Sequence, residues 1–309
     1  MLRHAWLVGF VTFFVGCFAT IEQPQGKPYN STKGWILTGS QAKKMHDQGA
    51  LFIDTREKSL YNKLHVQLSV HTTWQHFSES KAPNRGKLLT SVSSLNQRLQ
   101  TLGILKDKPV VVYGSPAKGW GEEGRIAWML RVFGHTKVYI VDGGYLALVQ
   151  AGLPTSKEAK APTKGNFSVN KNSTYSINRD SLQQLVVKQN AVPKALTVID
   201  TRELREYQGQ TPYGESRGGH IPGAVHLYFK SLINSMGFLK SRSDLLNTLK
   251  KLGAEPNRPV VVYCTGGIRS GWLAFVMLDM GFTNVKNYAG SMWEWAASPA
   301  TTYPLQKTE

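Results

Sequence analysis

Two kinds of apolar pattern alternate along the chain. Short, continuous runs of β-branched and aromatic residues occur at Leu51-Phe52-Ile53, Val110-Val111-Val112-Tyr113, Thr197-Val198-Ile199 and Val260-Val261-Val262-Tyr263. Runs of this length without polar interruption predict parallel strands buried on both faces. Longer apolar stretches lie between them. Trp272-Leu273-Ala274-Phe275-Val276-Met277-Leu278 predicts a helix just beyond the last of these strands. Strands alternating with helical patterns predict an α/β fold in which helices flank a central parallel sheet.

The pattern occurs twice. Leu51-Phe52-Ile53-Asp54-Thr55-Arg56-Glu57 matches Thr197-Val198-Ile199-Asp200-Thr201-Arg202-Glu203. Lys108-Pro109-Val110-Val111-Val112-Tyr113-Gly114 matches Arg258-Pro259-Val260-Val261-Val262-Tyr263-Cys264, and Phe133-Gly134-His135-Thr136-Lys137-Val138 matches Met280-Gly281-Phe282-Thr283-Asn284-Val285. Two copies of roughly 130 residues suit a two-domain chain of this size. The boundaries expected are 30–153 for the first domain and 175–309 for the second. The stretch between them, 154–174, is rich in Lys, Ala, Pro, Ser and Thr and predicts a surface linker. A Gly-rich insertion at 209–219 precedes the His220 region and is a candidate for reaching a cleft between the domains.

The repeat isolates one residue. Cys264 stands where the second copy's strand stops, ahead of two glycines, an arginine and a helix; the first copy has Gly114 there. Backbone amides of such a loop, a helix start and the fixed charge of Arg269 all favour a thiolate. Surroundings of this kind lower a thiol pKa from about 8.5 to roughly 3.5–7.5. The competing reading is a small core cysteine. The chain has only one other cysteine, Cys17, so no CxxC pair or Cys/His cluster exists for zinc or dithiol redox chemistry, and no metal or organic cofactor is expected. Ser115 is a poor substitute nucleophile in the first copy, because no base is evident beside it. The longer loop from Gly114 to Gly121 is better read as one wall of an interdomain cleft.

Cys264-Thr265-Gly266-Gly267-Ile268-Arg269-Ser270 resembles the active-site loop of the rhodanese family of sulfurtransferases. Gly219-His220-Ile221-Pro222-Gly223-Ala224, the Asp200-Thr201-Arg202 turn and the closing segment from Asn287 to Trp295 resemble three further signatures in the same order, with Ala289 where the family often has Asp. The resemblance implies two tandem rhodanese-like domains, the first non-catalytic and the second catalytic. It also implies a ping-pong reaction. The Cys264 thiolate takes the outer sulfur of a small anionic donor such as thiosulfate or 3-mercaptopyruvate, and an acceptor thiol or cyanide removes it. The persulfide would be held by Thr265, Gly266, Gly267, Ile268, Arg269 and Ser270. Family members place a substrate arginine four residues beyond the Asp-x-Arg arginine; Glu206 occupies that position, with Arg205 beside it. A carboxylate there would repel an anionic donor, so Arg205 and Arg217 of the insertion are the substitute substrate-binding candidates. Asp200, Arg202 and His220 are expected to brace the fold.

Two other functions compete. A cysteine phosphatase needs five residues between Cys and Arg to encircle phosphate, and only four separate Cys264 from Arg269. A non-catalytic sulfur-carrier or binding protein would keep the fold without turnover.

The N-terminus and the charge add location. Residues 1–20 combine a short basic start with an apolar stretch from Ala5 to Gly16, too short to span a membrane and laid out as an export signal. Phe14-Val15-Gly16-Cys17 resembles a bacterial lipobox, which would make Cys17 the lipidated first residue of a periplasmic or membrane-anchored protein; cleavage near Ala19 is the rival. The formal charge of +17 favours encounters with small anions and with an anionic membrane surface. The Lys and Arg residues are scattered and no nucleic-acid motif is present, so nucleic acid is not an expected partner.

Overall fold

The computed structural model describes residues 29–159, 161–186 and 195–307. The stretch read as an export signal and Cys17 lie outside the described residues. The expected α/β architecture is present twice. In the first unit the strands lie in the order Ile36–Leu37, Val138–Val141, Val110–Tyr113, Leu51–Asp54, Val70–His71, all parallel. In the second the order is Ser176–Ile177, Val285–Tyr288, Val260–Tyr263, Thr197–Asp200, Val225–His226, again all parallel. The two sheets are the same sheet in strand order. The unbroken apolar runs occupy the central strands because both faces are covered by helices; Val110 to Tyr113 and Val260 to Tyr263 are all buried.

In each copy the Asp-x-Arg turn locks the end of a central strand. Arg202 donates to both carboxylate oxygens of Asp200, the shortest contact being 2.7 Å, and to the Gly219 carbonyl at 2.7 Å. Arg56 repeats this on Asp54 at 2.7 Å and on the Leu64 carbonyl at 2.8 Å. His220 stacks on Tyr207 with ring centroids 3.7 Å apart, and its Nδ1 lies 3.0 Å from the Tyr207 carbonyl. These three residues have the bracing contacts the sequence suggested for them.

The Ile268–Asp279 helix is buried along its whole length and packs against the Glu122–Val132 helix of the first unit. It starts four residues before the apolar stretch from Trp272 that predicted it. Gly267 adopts φ +81°, a left-handed turn natural to glycine, and the next residue is already helical, so Arg269 and Ser270 sit in the first turn. At the crossing, a side chain on Gly124 would collide with Trp272. One apolar core, including Ile126, Leu130, Leu273 and Phe275, runs through the contact and joins the units. The segment before the first strand adds a polar tie: Tyr29 Oη, Ser31 Oγ and the Trp35 amide all donate to the Asp279 carboxylate, at 2.5–2.9 Å.

The segment read as a linker is docked on the first unit. Thr155–Ser156 pairs antiparallel with His65–Val66, Phe167 is buried, and the Gly165 amide donates to the Gln100 carbonyl at 2.8 Å.

Candidate active site

Cys264 follows the central strand of the second sheet, at the carboxyl edge where open α/β sheets place their ligands. Its amide is fixed by Ser291 Oγ at 3.1 Å, and the Gly267 amide donates to its Sγ at 3.1 Å. Burial alone would raise the thiol pKa. The Arg269 charge, the amide and hydroxyl of Ser270 and the Gly266 amide overcome this and hold it below the ordinary thiol value. The Ser270 hydroxyl is buried and has no other hydrogen-bond partner among the described residues. The loop therefore turns the Gly267 amide toward one sulfur atom, with the Arg269 charge favouring its anion.

A cavity of about 430 Å³ opens over the sulfur. The second unit contributes Thr265, Gly266, Ile268 and Trp293 to its lining, with Pro212 and Tyr213 from the insertion. The first unit contributes Trp74, Arg85, Trp120 and Glu122. Both the insertion and the Gly114–Gly121 loop thus reach the cleft, through Tyr213 and Trp120. The walls are mostly aromatic: Trp74 and Trp293 stack with centroids 6.3 Å apart, and Trp120 meets Tyr213 edge-on at 5.5 Å.

The arginines are distributed differently from the sequence expectation. Arg269 forms a bidentate pair with Glu206, Nη1 to Oε2 at 2.6 Å and Nη2 to Oε1 at 2.8 Å, and also donates to Thr265 Oγ1. The Thr265 hydroxyl donates in turn to Glu206 Oε1 at 2.7 Å. Burial works against the Glu206 anion, but these hydrogen bonds and the Arg269 charge hold its carboxyl below the usual range. Glu206 is therefore a neutralised brace under the loop and not a repelling charge. Arg205 points outward, half-exposed, and is paired with Glu203 at 2.5 Å. Arg217 reaches the carbonyls of Trp295, Ala296, Ser298 and Tyr303, tying the insertion to the C-terminal segment. Neither lines the cavity. Arg205 was a candidate for its place beside Glu206 and Arg217 for its place in the insertion, and nearer partners take the donors of both.

Two buried side chains of the first unit went unnoticed in the sequence. Arg125 Nη1 donates to the Gly267 carbonyl at 3.0 Å, and its Nη2 to the Gly86 carbonyl at 2.6 Å. It has no carboxylate partner among the described residues; burial pulls its pKa down to about 10, and the Cys264 anion is the charge that opposes this. Glu123 lies under the empty position of the missing thiol. A Cβ on Gly114 would collide with its carboxylate. Burial, with Glu122 nearby, raises the Glu123 pKa to about 8.

A rhodanese-like domain model matches the sequence twice, over residues 38–151 and 179–298. The chain belongs to the rhodanese family. Among relatives in this family, thiosulfate sulfurtransferase of Azotobacter vinelandii is 31% identical over 66% of this chain and 72% of its own length. Thiosulfate sulfurtransferase of Pseudomonas aeruginosa is 29% identical over 83% and 84%. In three dimensions the rhodanese fold is shared with SseA from Escherichia coli, a 3-mercaptopyruvate sulfotransferase, at a TM-score of 0.72 and 23% identity, covering 83% of this chain and 98% of that one. It is shared equally with EanB, at 0.76 and 19%, covering 91% and 72%.

Proposed function

We propose that this rhodanese-family protein is a sulfurtransferase that works through a persulfide on Cys264. The observation that carries the reading is the Cys264 sulfur held by the Gly267 amide, beside Arg269 and at the floor of an open cavity. The thiolate attacks the outer sulfur of a donor. With thiosulfate, the new bond is Sγ–S, the donor S–S bond breaks, and its electron pair leaves with sulfite. The persulfide keeps one negative charge, and the loop amides that held the thiolate lie around it. Cyanide or a thiolate then attacks the outer sulfur, leaving as thiocyanate or a new persulfide, and the Cys264 thiolate returns. The donors and acceptors follow from the relatives, which are thiosulfate sulfurtransferases. The first unit, with Gly114 at the thiol position, is the wall and brace of the site.

The test is thiocyanate formation from thiosulfate and cyanide. Parallel double-reciprocal lines, and loss of turnover in Cys264→Ser, are expected; intersecting lines or an active Cys264→Ser protein would defeat the reading.

We also propose export with lipidation at Cys17, supported by the basic start, the apolar stretch and Phe14-Val15-Gly16-Cys17. Incorporation of labelled palmitate into the full chain, and its loss in Cys17→Ala, is the expected result; equal labelling of both, or none, would contradict it.

A further inference from the structure

A second unpaired cation is buried away from the thiol. Arg131, in the last turn of the Glu122–Val132 helix, is 7% exposed and has no ion pair among the described residues. Its guanidinium lies over the Trp35 ring at 3.4 Å, which covers one face and leaves the in-plane donors at the edge. Nη2 donates to the Val138 carbonyl at 3.1 Å, the one hydrogen bond this guanidinium makes among the described residues, and Nε is buried with no partner. The Asp279 carboxylate acts on it only through space, because its oxygens already accept from Tyr29, Ser31 and the Trp35 amide. A buried charge left in this state is costly.

Arg131 lines a cavity of about 420 Å³. The cavity lies between the turn that ends its helix, Gly134 to Thr136, and the segment from Asn170 to Tyr175 that leads into the second unit. Among the described residues, none that lines it is acidic and none is aliphatic. Lys171 adds a second positive charge; its Nζ donates to the Thr90 carbonyl at 3.1 Å, which engages one of its three protons. Asn170, Asn172 and Ser173 add amide and hydroxyl donors. The Val132 and Phe133 carbonyls would otherwise repel an anion at a helix end. They accept the amides of Asn172 and Asn170, at 2.7 and 2.9 Å. None of these residues lines the cavity over Cys264.

We infer that this cavity is a binding site for a small free oxyanion of the sulfate or phosphate type, held by the Arg131 guanidinium at its floor and by Lys171 at its rim. Water in the cavity satisfies donors but brings no counter-charge to a buried guanidinium. A tetrahedral oxyanion brings both, because two of its oxygens accept from the in-plane fork of one arginine. The lining offers no aliphatic surface to an acyl chain, so the ligand is the free ion and not a lipid headgroup.

Equilibrium dialysis of labelled sulfate, with chloride holding the ionic strength constant, tests this. It is run on the wild-type protein, on the same protein with Cys264 blocked by iodoacetamide, and on Arg131→Gln, Arg131→Lys and Lys171→Ala. The wild type should bind sulfate that phosphate displaces and chloride does not, and blocking Cys264 should leave that binding in place. Arg131→Gln should weaken it about ten-fold or more, and Arg131→Lys should recover part of the loss. Lys171→Ala should weaken it about three-fold. Lys171 is exposed, so its variant keeps the test decisive if Arg131→Gln fails to fold. No sulfate bound in the presence of chloride overturns the inference. So does binding that is lost when Cys264 is blocked, which would place the ion over the thiol, or an affinity indifferent to both Lys171→Ala and Arg131→Lys.

Discussion

Arg125 Nη1 donates to the Gly267 carbonyl oxygen at 3.0 Å, so a helix of the thiol-free unit holds the loop that holds the thiol. Gly267 is also the residue whose amide reaches Cys264 Sγ. Asn287 Nδ2 shares the carbonyl at 3.2 Å. The second unit's catalytic loop is therefore completed by the first.

Arg125 contributes both hydrogen bonds and an unpaired buried charge, and substitutions separate them. Arg125→Met should raise the Cys264 pKa and lower the rate of persulfide formation at neutral pH by about ten-fold or more, while Arg125→Lys keeps the charge and retains part of the rate. Iodoacetamide alkylation against pH reads the thiol directly. A merely structural Arg125 would lower stability and leave that titration in place.

The Glu206–Arg269 pair is buried on both sides and makes the loop dependent on a residue far away in sequence. Glu206→Ala leaves the guanidinium and the Thr265 hydroxyl without their acceptor. It should cost about 3–5 kcal/mol of stability, as removal of one partner of a buried pair does. Chemical denaturation checks this. A cost near zero would mean that Arg269 finds solvent, and with it that the cavity floor is looser than described.

Glu123 predicts a stability that falls with pH. Its folded pKa, about 8, lies above the unfolded carboxyl value, so the proton it holds is a folded-state proton. Its contribution is therefore fully present below the unfolded value, about 4.3, and is lost as pH rises through about 8. Glu123→Gln should stabilise the protein at pH 8 by on the order of 1–3 kcal/mol and flatten the profile between those limits. For the same spatial reason, Gly114→Cys should not install a second working thiol. Equal stability of Glu123→Gln and wild type across the range would contradict the placement of this carboxyl.

Cys264 shows the opposite sign. Its folded pKa is lowered, so the associated stability is present above the unfolded thiol value and is lost as pH falls through the folded one. The midpoint of alkylation against pH should lie below that of an ordinary thiol, about 8.5. Ser270→Ala removes a buried hydroxyl beside the sulfur and should move the midpoint upward.

The sequence analysis found the features built from contiguous residues. A β-branched run, a glycine pair and a helix start place Cys264 whatever surrounds them, and the same grammar repeated with Gly114 gives the two sheets. Trp120 and Tyr213 lay within loops already expected to approach the cleft. Arg85, Trp74 and Arg125 were missed because they reach the site only through the packing of the two units against each other, and no local pattern marks that crossing; Glu123 was missed because nothing in its own helix marks its approach to Gly114. Arg205 was chosen for its place beside Glu206 and Arg217 for its place in the insertion, but guanidinium groups are satisfied by the nearest acceptors in space: Glu203 for one and four carbonyls for the other. Glu206 looked repulsive for the same reason, its partner being 63 positions away.

The most direct measurement is the intact mass of the protein after incubation with thiosulfate, beside Cys264→Ser and after a cyanide chase. The account predicts a gain of one sulfur atom, absent in the variant and discharged by cyanide. A freely alkylatable Cys264 that gains no sulfur from thiosulfate or 3-mercaptopyruvate would contradict it and leave a binding protein built on this fold.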